Sequence, residues 1–251
     1  MKLIIPEWPD LPQNIKAMTT LRTDGVSQAP FDDGVGGGGF NVGEYVGDEA
    51  PHVAINRAAL EALVPSSPLW LKQVHGVLVV DSKDYVAGME ADASLTKEAG
   101  RVCVAQTADC LPLLLSDMKG TMVSAVHAGW RGLCDGIIEA VVNKMYQAGA
   151  VEITAWMGPA IGPACFEVGA DVVAQFVEKD SAAKTAFVLV EMKENHFLGD
   201  LYELARQRLA KCGVNRVYGG TFCTMTQEDK FYSYRRDGVT GRMASLIWME
   251  R

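Results

Sequence analysis

Histidine is scarce in this chain, with four residues in 251: His52, His75, His127 and His196. A centre holding several copper ions, each needing about three strong nitrogen or sulfur ligands, would require roughly ten imidazoles. Such a centre is excluded. The six cysteines, Cys103, Cys110, Cys134, Cys165, Cys212 and Cys223, include no Cys-x-x-Cys pair. That rules out a zinc ribbon and a dithiol redox motif, and leaves most of them as small buried hydrophobes in a reduced chain. Runs of basic residues are missing as well. With 23 Lys and Arg against 31 Asp and Glu, and a net charge of −8, nothing resembles the clustered cations of a nucleic-acid groove. No apolar run reaches membrane-spanning length, and the start Met1–Pro9 lacks the long apolar region of a signal peptide. The expectation is a soluble cytoplasmic protein with no membrane or nucleic-acid partner. The glycine run Gly34–Gly39 is followed by neither Gly-Lys-Ser/Thr nor a helical pattern, so a nucleotide-cradling loop is excluded too.

What is present is a core: 49% of the residues are hydrophobic, enough to fill a domain of this size. Apolar runs bounded by turn residues predict strands at Ile15–Thr20, Leu69–His75 with a resumption at Val77–Val80, Ala91–Thr96, Val102–Ser116, Thr121–Ala128, Val151–Met157 and Met243–Trp248. Helical spacing predicts a helix capped by Asp48 with Pro51 in its first turn, then Leu133–Tyr146, Asp171–Glu178, and Leu201–Lys211 between Asp200 and Gly213. Strands and helices do not alternate strictly, and no linker or repeat divides the chain. The fold class is therefore α+β: one compact domain, residues 1–251, of mixed β-sheets flanked by helices.

Chemistry concentrates where strands stop. Cys110 and His127 sit at strand ends, and His75 at a kink beside Gly76; the separations are 35 and 17 residues (110−75 and 127−110). Two imidazoles and one thiolate suit zinc and leave a fourth position open, the hallmark of catalytic rather than structural zinc. The same atoms also permit a metal-free reading, with Cys110 as nucleophile, His127 as its base, and Asp109 or another carboxylate orienting the ring. A helix opening at Gly132 next to Arg131 would offer free N–H groups to an anion. Arg22, at a strand-to-loop junction, is placed to present a guanidinium. Glu167, in the Gly158–Gly169 loop, is a candidate acid or base, and Arg235, Arg236 and Arg242 are candidates to meet an anionic ligand.

Five segments together carry a family resemblance: Leu71–Gly76 (LKQVHG), Thr107–Pro112 (TADCLP), Ala125–Gly132 (AVHAGWRG), Gly158–Pro163 (GPAIGP) and Phe231–Arg236 (FYSYRR). In this order the chain resembles the YfiH family, also called the laccase-domain or polyphenol oxidase family. The resemblance implies zinc held by His75, Cys110 and His127, which would also be the catalytic residues. It further implies phosphorolysis of adenosine, inosine and methylthioadenosine, with adenosine deaminase activity beside it. Arg22 matches the family's Thr-x-Arg-x-x-Gly-Val-Ser pattern, and the expected substrate contacts are Arg22, Asn41, Gln73 and Arg131. Copper could replace zinc at the same ligands and support polyphenol oxidase activity. The other alternative is a Cys/His hydrolase or amidase editing cell-wall precursors. Deamination ranks behind phosphorolysis, because the His-x-Glu and Pro-Cys-x-x-Cys deaminase signatures are missing. The departure from the family pattern is the glycine-rich Gly34–Gly39 before Asn41.

Overall fold

The protein is described by a computed structural model covering residues 1–250. In chain order, β1 (Leu3–Ile4) and β2 (Ile15–Thr20) precede α1 (Ala50–Glu61), β3 (Val79–Asp81) and β4 (Ala93–Thr96). Then come β5 (Val102–Thr107), β6 (Leu111–Asp117), β7 (Val123–Ala128), α2 (Trp130–Asp135), α3 (Ile137–Gln147) and β8 (Ile153–Met157). The remainder comprises β9 (Glu167–Gly169), α4 (Ala170–Lys179), β10 (Phe187–Leu189), β11 (His196–Gly199), α5 (Leu201–Lys211), β12 (Arg216–Gly219), α6 (Tyr234–Asp237) and β13 (Met243–Met249).

These strands form a six-stranded sheet in the order β12-β8-β6-β7-β4-β3, a four-stranded sheet β1-β2-β13-β5, and a small three-stranded sheet β10-β11-β9. The first is mixed: its central pairs are antiparallel, while β12–β8 and β3–β4 at its edges run parallel. Because side chains alternate along a strand, β6 serves two layers. Its Leu111, Leu113 and Leu115 pack with Ile138, Val142 and Met145 of α3 and with Leu204 and Leu209 of α5. Its Leu114 points the other way, into Cys103 and Ala105 of β5, Ile247 of β13 and Trp156 of β8. The outer face of the four-stranded sheet, with Met18, Val104 and Leu246, is closed by Phe40, Val42 and Leu60 of α1. A strand buried on both sides must be apolar nearly throughout, which is why β6 reads Leu-Pro-Leu-Leu-Leu. Truncating Leu114 to Ala would cost about 2–5 kcal/mol at such a position.

The α+β reading holds, with sheets stacked on each other and helices outside. Three local expectations are corrected. Leu69–His75 is not a strand: it makes one bridge, Lys72 to Glu90, and the amides of Val74, His75 and Gly76 go to the Asp92 carboxylate instead of a neighbouring strand. The helix expected over Leu133–Tyr146 starts earlier, at Trp130, and is broken at Gly136, whose φ of 106° lies in the left-handed region. Asp48 does not cap α1. Glu49 occupies that position without a side-chain cap bond, while the Asp48 carboxylate accepts from Ser27 Oγ and Asn41 Nδ2. The Asp200 cap is as expected, its carboxylate accepting from the Glu203 amide.

Candidate metal centre and its cavity

The turn between β5 and β6 carries the chain from one large sheet to the other, and Asp109 makes that turn with a φ of 85°. Cys110 follows at once, so the crossing puts its sulfur between the sheets' ends. His127 is the penultimate residue of β7, paired across the ladder with Pro112 of β6. His75 tops the loop before β3, also with a positive φ, 61°. The three converge: their donor atoms all lie within 4.8 Å of one another, with Cys110 Sγ 3.6 Å from His75 Nε2. The imidazoles meet edge to face, with centroids 4.7 Å apart. The spacing is somewhat wider than the about 4 Å that metal bonds of about 2.0–2.3 Å impose. His75 is the exposed member of the three.

A carboxylate that the sequence reading passed over holds this arrangement. Asp92, buried, accepts from His127 Nδ1 at 2.8 Å and from the amides of His75 at 2.9 Å and Gly76 at 2.7 Å. One side chain thus fixes both the ring of one histidine and the loop bearing the other. With Nδ1–H given to Asp92, His127 turns Nε2 toward the centre, where a metal would displace its proton. Asp92, not Asp109, is the orienting group. Burial opposes ionisation of Asp92, yet hydrogen bonds from His127 and the loop amides hold its carboxyl below the ordinary range. Burial likewise pushes the Cys110 thiol up, but His127 and His75 outweigh it and bring it down to about 6. His127 moves in the complementary direction: burial lowers it, while Cys110 and Asp92 raise it to about 9. The donor set is therefore two nitrogens and a sulfur poised as thiolate, a combination that fits zinc or copper. Gly129 completes the cradle, since a Cβ there would lie 2.6 Å from His75 Cδ2 and 3.0 Å from Cys110 Sγ.

The three donors line a cavity of about 550 Å³. Its walls include the aromatic side chains Tyr45, Trp130, Phe166 and Tyr234, and the guanidinium-bearing Arg131, Arg235 and Arg242. Of the expected substrate contacts, Gln73 and Arg131 line it. Arg22 and Asn41 lie outside that lining. The Arg22 guanidinium is buried against the Asp32 and Glu228 carbonyls and over Tyr232. The Asn41 carboxamide is taken by Gly43, Arg242 and Asp48. Gly34–Gly39 also stays away from the cavity, folded on the Asp33 carboxylate and bridged at Gly39 to Ser27. Glu167 is drawn to the surface by Lys193 and His196, and Arg236 is tied to the Thr224, Met225 and Phe231 carbonyls. Because α2 begins at Trp130 and has six residues, the anion-attracting group at this corner is the Arg131 side chain rather than a long helix end.

An α+β domain in which three metal-competent side chains from separate segments line one open cavity defines a class of proteins with a single candidate metal centre. A family model described as multi-copper polyphenol oxidoreductase laccase matches residues 16–250. A Haemophilus influenzae protein named purine nucleoside phosphorylase is 46% identical over 252 residues, covering 100% of both chains. The Escherichia coli K12 protein named purine nucleoside phosphorylase YfiH is 46% identical over 99% of each chain. Among solved structures, a Neisseria meningitidis protein superposes with a TM-score of 0.89 at 40% identity, over 100% of both chains. YlmD from Geobacillus stearothermophilus gives 0.84 at 28% identity, over 97% of this chain and 94% of its own. The chain belongs to this laccase-domain family, with close relatives among the YfiH proteins. Among the described residues, His75, Cys110 and His127 form the one metal-competent group of three, so the family's multi-copper name does not describe the site.

Proposed function

We propose that the protein is a zinc-dependent purine nucleoside phosphorylase acting on adenosine, inosine and methylthioadenosine, with adenosine deamination as a side activity. The observation that carries this reading is the three-donor centre at the floor of a cavity walled by aromatic faces and guanidinium groups. Full-length relatives named purine nucleoside phosphorylase support it. In the reaction the C1′–N9 bond breaks with its electron pair leaving on the purine. A phosphate oxygen forms the new bond to C1′, and the proton of hydrogen phosphate ends on the free base. Bound to His75, Cys110 and His127, zinc would supply a Lewis acid with an open position. Arg131 offers its guanidinium to the phosphate, in the planar two-point manner that suits an oxyanion. The aromatic walls stack on the purine and exclude water from C1′. Asp92 keeps the Nδ1 proton of His127 in place and so keeps Nε2 toward the centre. The six free cysteines fit a reducing, cytoplasmic setting.

The test incubates zinc-loaded protein with adenosine and inosine while phosphate is varied, and follows free base and ribose 1-phosphate together. Equal yields that require phosphate are expected. Base released without phosphate would mean hydrolysis, and inosine as the sole product from adenosine would reverse the ranking of the two activities.

A second reading has its own observation: Asp92, His127 and Cys110 form a carboxylate–imidazole–thiol line that could serve a metal-free hydrolase or amidase. Chelation separates the two, since it abolishes a zinc reaction and spares a thiol one. Copper loading followed by a phenol-oxidation assay tests the oxidase alternative at the same ligands.

A further inference from the structure

The polar groups around the cavity can be sorted by whether they already have partners. The Asp109 carboxylate accepts from Thr224 Oγ1 and the Arg235 amide. Arg235 donates to the Cys165 and Glu167 carbonyls, Arg242 to those of Thr240 and Gly241, and Glu44 is paired with Arg57. Gln73, an expected substrate contact, uses both ends of its carboxamide on the Gln106 main chain: Nε2 donates to the carbonyl at 2.7 Å, and Oε1 accepts from the amide at 2.8 Å. Without a hydrogen-bond partner among the described residues are the Arg131 guanidinium, stacked on Trp130, the hydroxyls of Tyr45, Thr107 and Tyr234, the Trp130 indole N–H, and one carboxamide, that of Gln106, the one of these that offers a donor and an acceptor side by side in a plane. The Gln106 side chain lines the cavity and has no hydrogen-bond partner among the described residues.

We propose that Gln106 is the specificity-determining residue that reads the 6-position edge of the purine, and this rests on the nucleoside reading above. A carboxamide carries one acceptor oxygen and a donor NH₂, and its terminal torsion is broad and nearly two-fold. Turned one way, it accepts from a 6-amino group and donates to the neighbouring ring nitrogen. Turned the other way, it donates to a 6-oxo group and accepts from the neighbouring ring N–H. One neutral side chain thus serves 6-aminopurines and 6-oxopurines alike, whereas a carboxylate or guanidinium would match only half of either edge. Gln makes a comparable two-point contact with adenine in DNA, there to N6 and N7. The residue is also held ready. Gln73 grips its main chain from one side while Ala244 of β13 faces it across the ladder on the other, so the backbone is already fixed and only the side chain remains to be ordered on binding. Gln73 is then a positioning residue, two places before the ligand His75.

The experiment compares Gln106→Leu with the unmodified zinc-loaded protein, using phosphorolysis of adenosine, inosine and purine riboside, which has no 6-substituent. Loss of the second hydrogen bond is worth about tenfold, so kcat/KM should fall at least about tenfold further for adenosine and inosine than for purine riboside. A penalty equal within threefold on all three substrates overturns the proposal. Calorimetric titration of both proteins with free adenine and free unsubstituted purine gives a second readout that needs no catalysis. There the variant should weaken adenine selectively, and equal weakening of both bases overturns the proposal. If the unmodified protein binds adenine selectively but yields no ribose 1-phosphate, the phosphorylase reading fails and Gln106 stands. If it binds neither base, both fall. Gln73→Leu should give a smaller loss with the same preference for 6-substituted purines, whereas an indiscriminate loss removes the positioning role.

Discussion

Cys110 and Cys212 are the same amino acid in opposite circumstances. Cys110 faces two imidazoles, while Cys212 caps the end of α5 and bonds through its main chain alone, its amide donating to the Arg208 and Leu209 carbonyls and its carbonyl accepting from the Tyr146 hydroxyl. Cys110→Ala should therefore abolish metal binding and activity. Cys212→Ala should keep both and lose on the order of 1 kcal/mol or less of stability. Metal analysis, turnover and urea unfolding of the two variants check this. In the metal-free protein the thiolate of Cys110 is the reactive form, and its thiol lies at about 6. Its alkylation by iodoacetamide should rise with pH through about 6 and level off above it, whereas Cys103, pushed up to about 12 by burial, stays inert throughout. Peptide mapping across a pH series reads both. Asp92→Asn should weaken zinc by about 10–100-fold, the usual toll of losing a ligand's hydrogen-bond partner, as competition with a coloured chelator would measure. The three metal-competent side chains were legible in the sequence because Cys110 and His127 fall at strand ends, His75 falls beside Gly76, and all three lie in the motifs that carry the family resemblance. Asp92 was not, although a lone carboxylate in Ala-Asp-Ala-Ser-Leu is a charge that burial tolerates only with partners. Gln73 lines the cavity, as expected of a substrate contact, while its carboxamide bonds the Gln106 main chain, a pairing that no sequence pattern records.

At the scale of elements, two glycines in the β7–α2–α3 segment act through different physics. Gly129 has an ordinary φ of −61° and is needed for space alone. Gly129→Ala should fold normally yet push His75 and Cys110 apart, reducing zinc affinity at least about tenfold while the metal-free protein melts as before. Gly136 is the reverse case. It has room for a Cβ, the nearest atom being Glu139 Oε2 at 3.6 Å, but its φ is 106°. Gly136→Ala should thus destabilise by about 1–2 kcal/mol through the backbone and leave zinc affinity unchanged, as unfolding and metal titration would show in parallel. The period of apolar residues located α3, α4 and α5 well. It could not reveal the break at Gly136, because Trp130–Gln147 keeps its apolar spacing across that residue. Leu69–His75 has the composition of a strand, but the amides of Val74 and His75 at its end are claimed by the Asp92 side chain, and composition carries no record of that.

For the whole molecule, the α+β class and the single domain followed from the unbroken succession of strand and helix patterns. The stacking of two sheets back to back was not readable, since β5 and β6 look like one apolar stretch until the Asp109 turn sends them to different sheets. A metal at the centre would fasten that turn to the loop before β3 and to the end of β7. Zinc at a hundred times its Kd should add about 2.7 kcal/mol to stability, or roughly 5–10 °C in Tm for a chain of this size. Scanning calorimetry with and without chelator should show the shift, and His75→Ala should lose most of it. The wall of the cavity also contains an optical instrument. Of five tryptophans, Trp130 is the one lining the cavity, with the Arg131 guanidinium 4.4 Å from its ring centroid. When that cation turns from the indole toward an arriving anion, the emission of Trp130 must change. The protein should therefore signal phosphate by its own fluorescence, without a label, and Trp130→Phe should silence the signal.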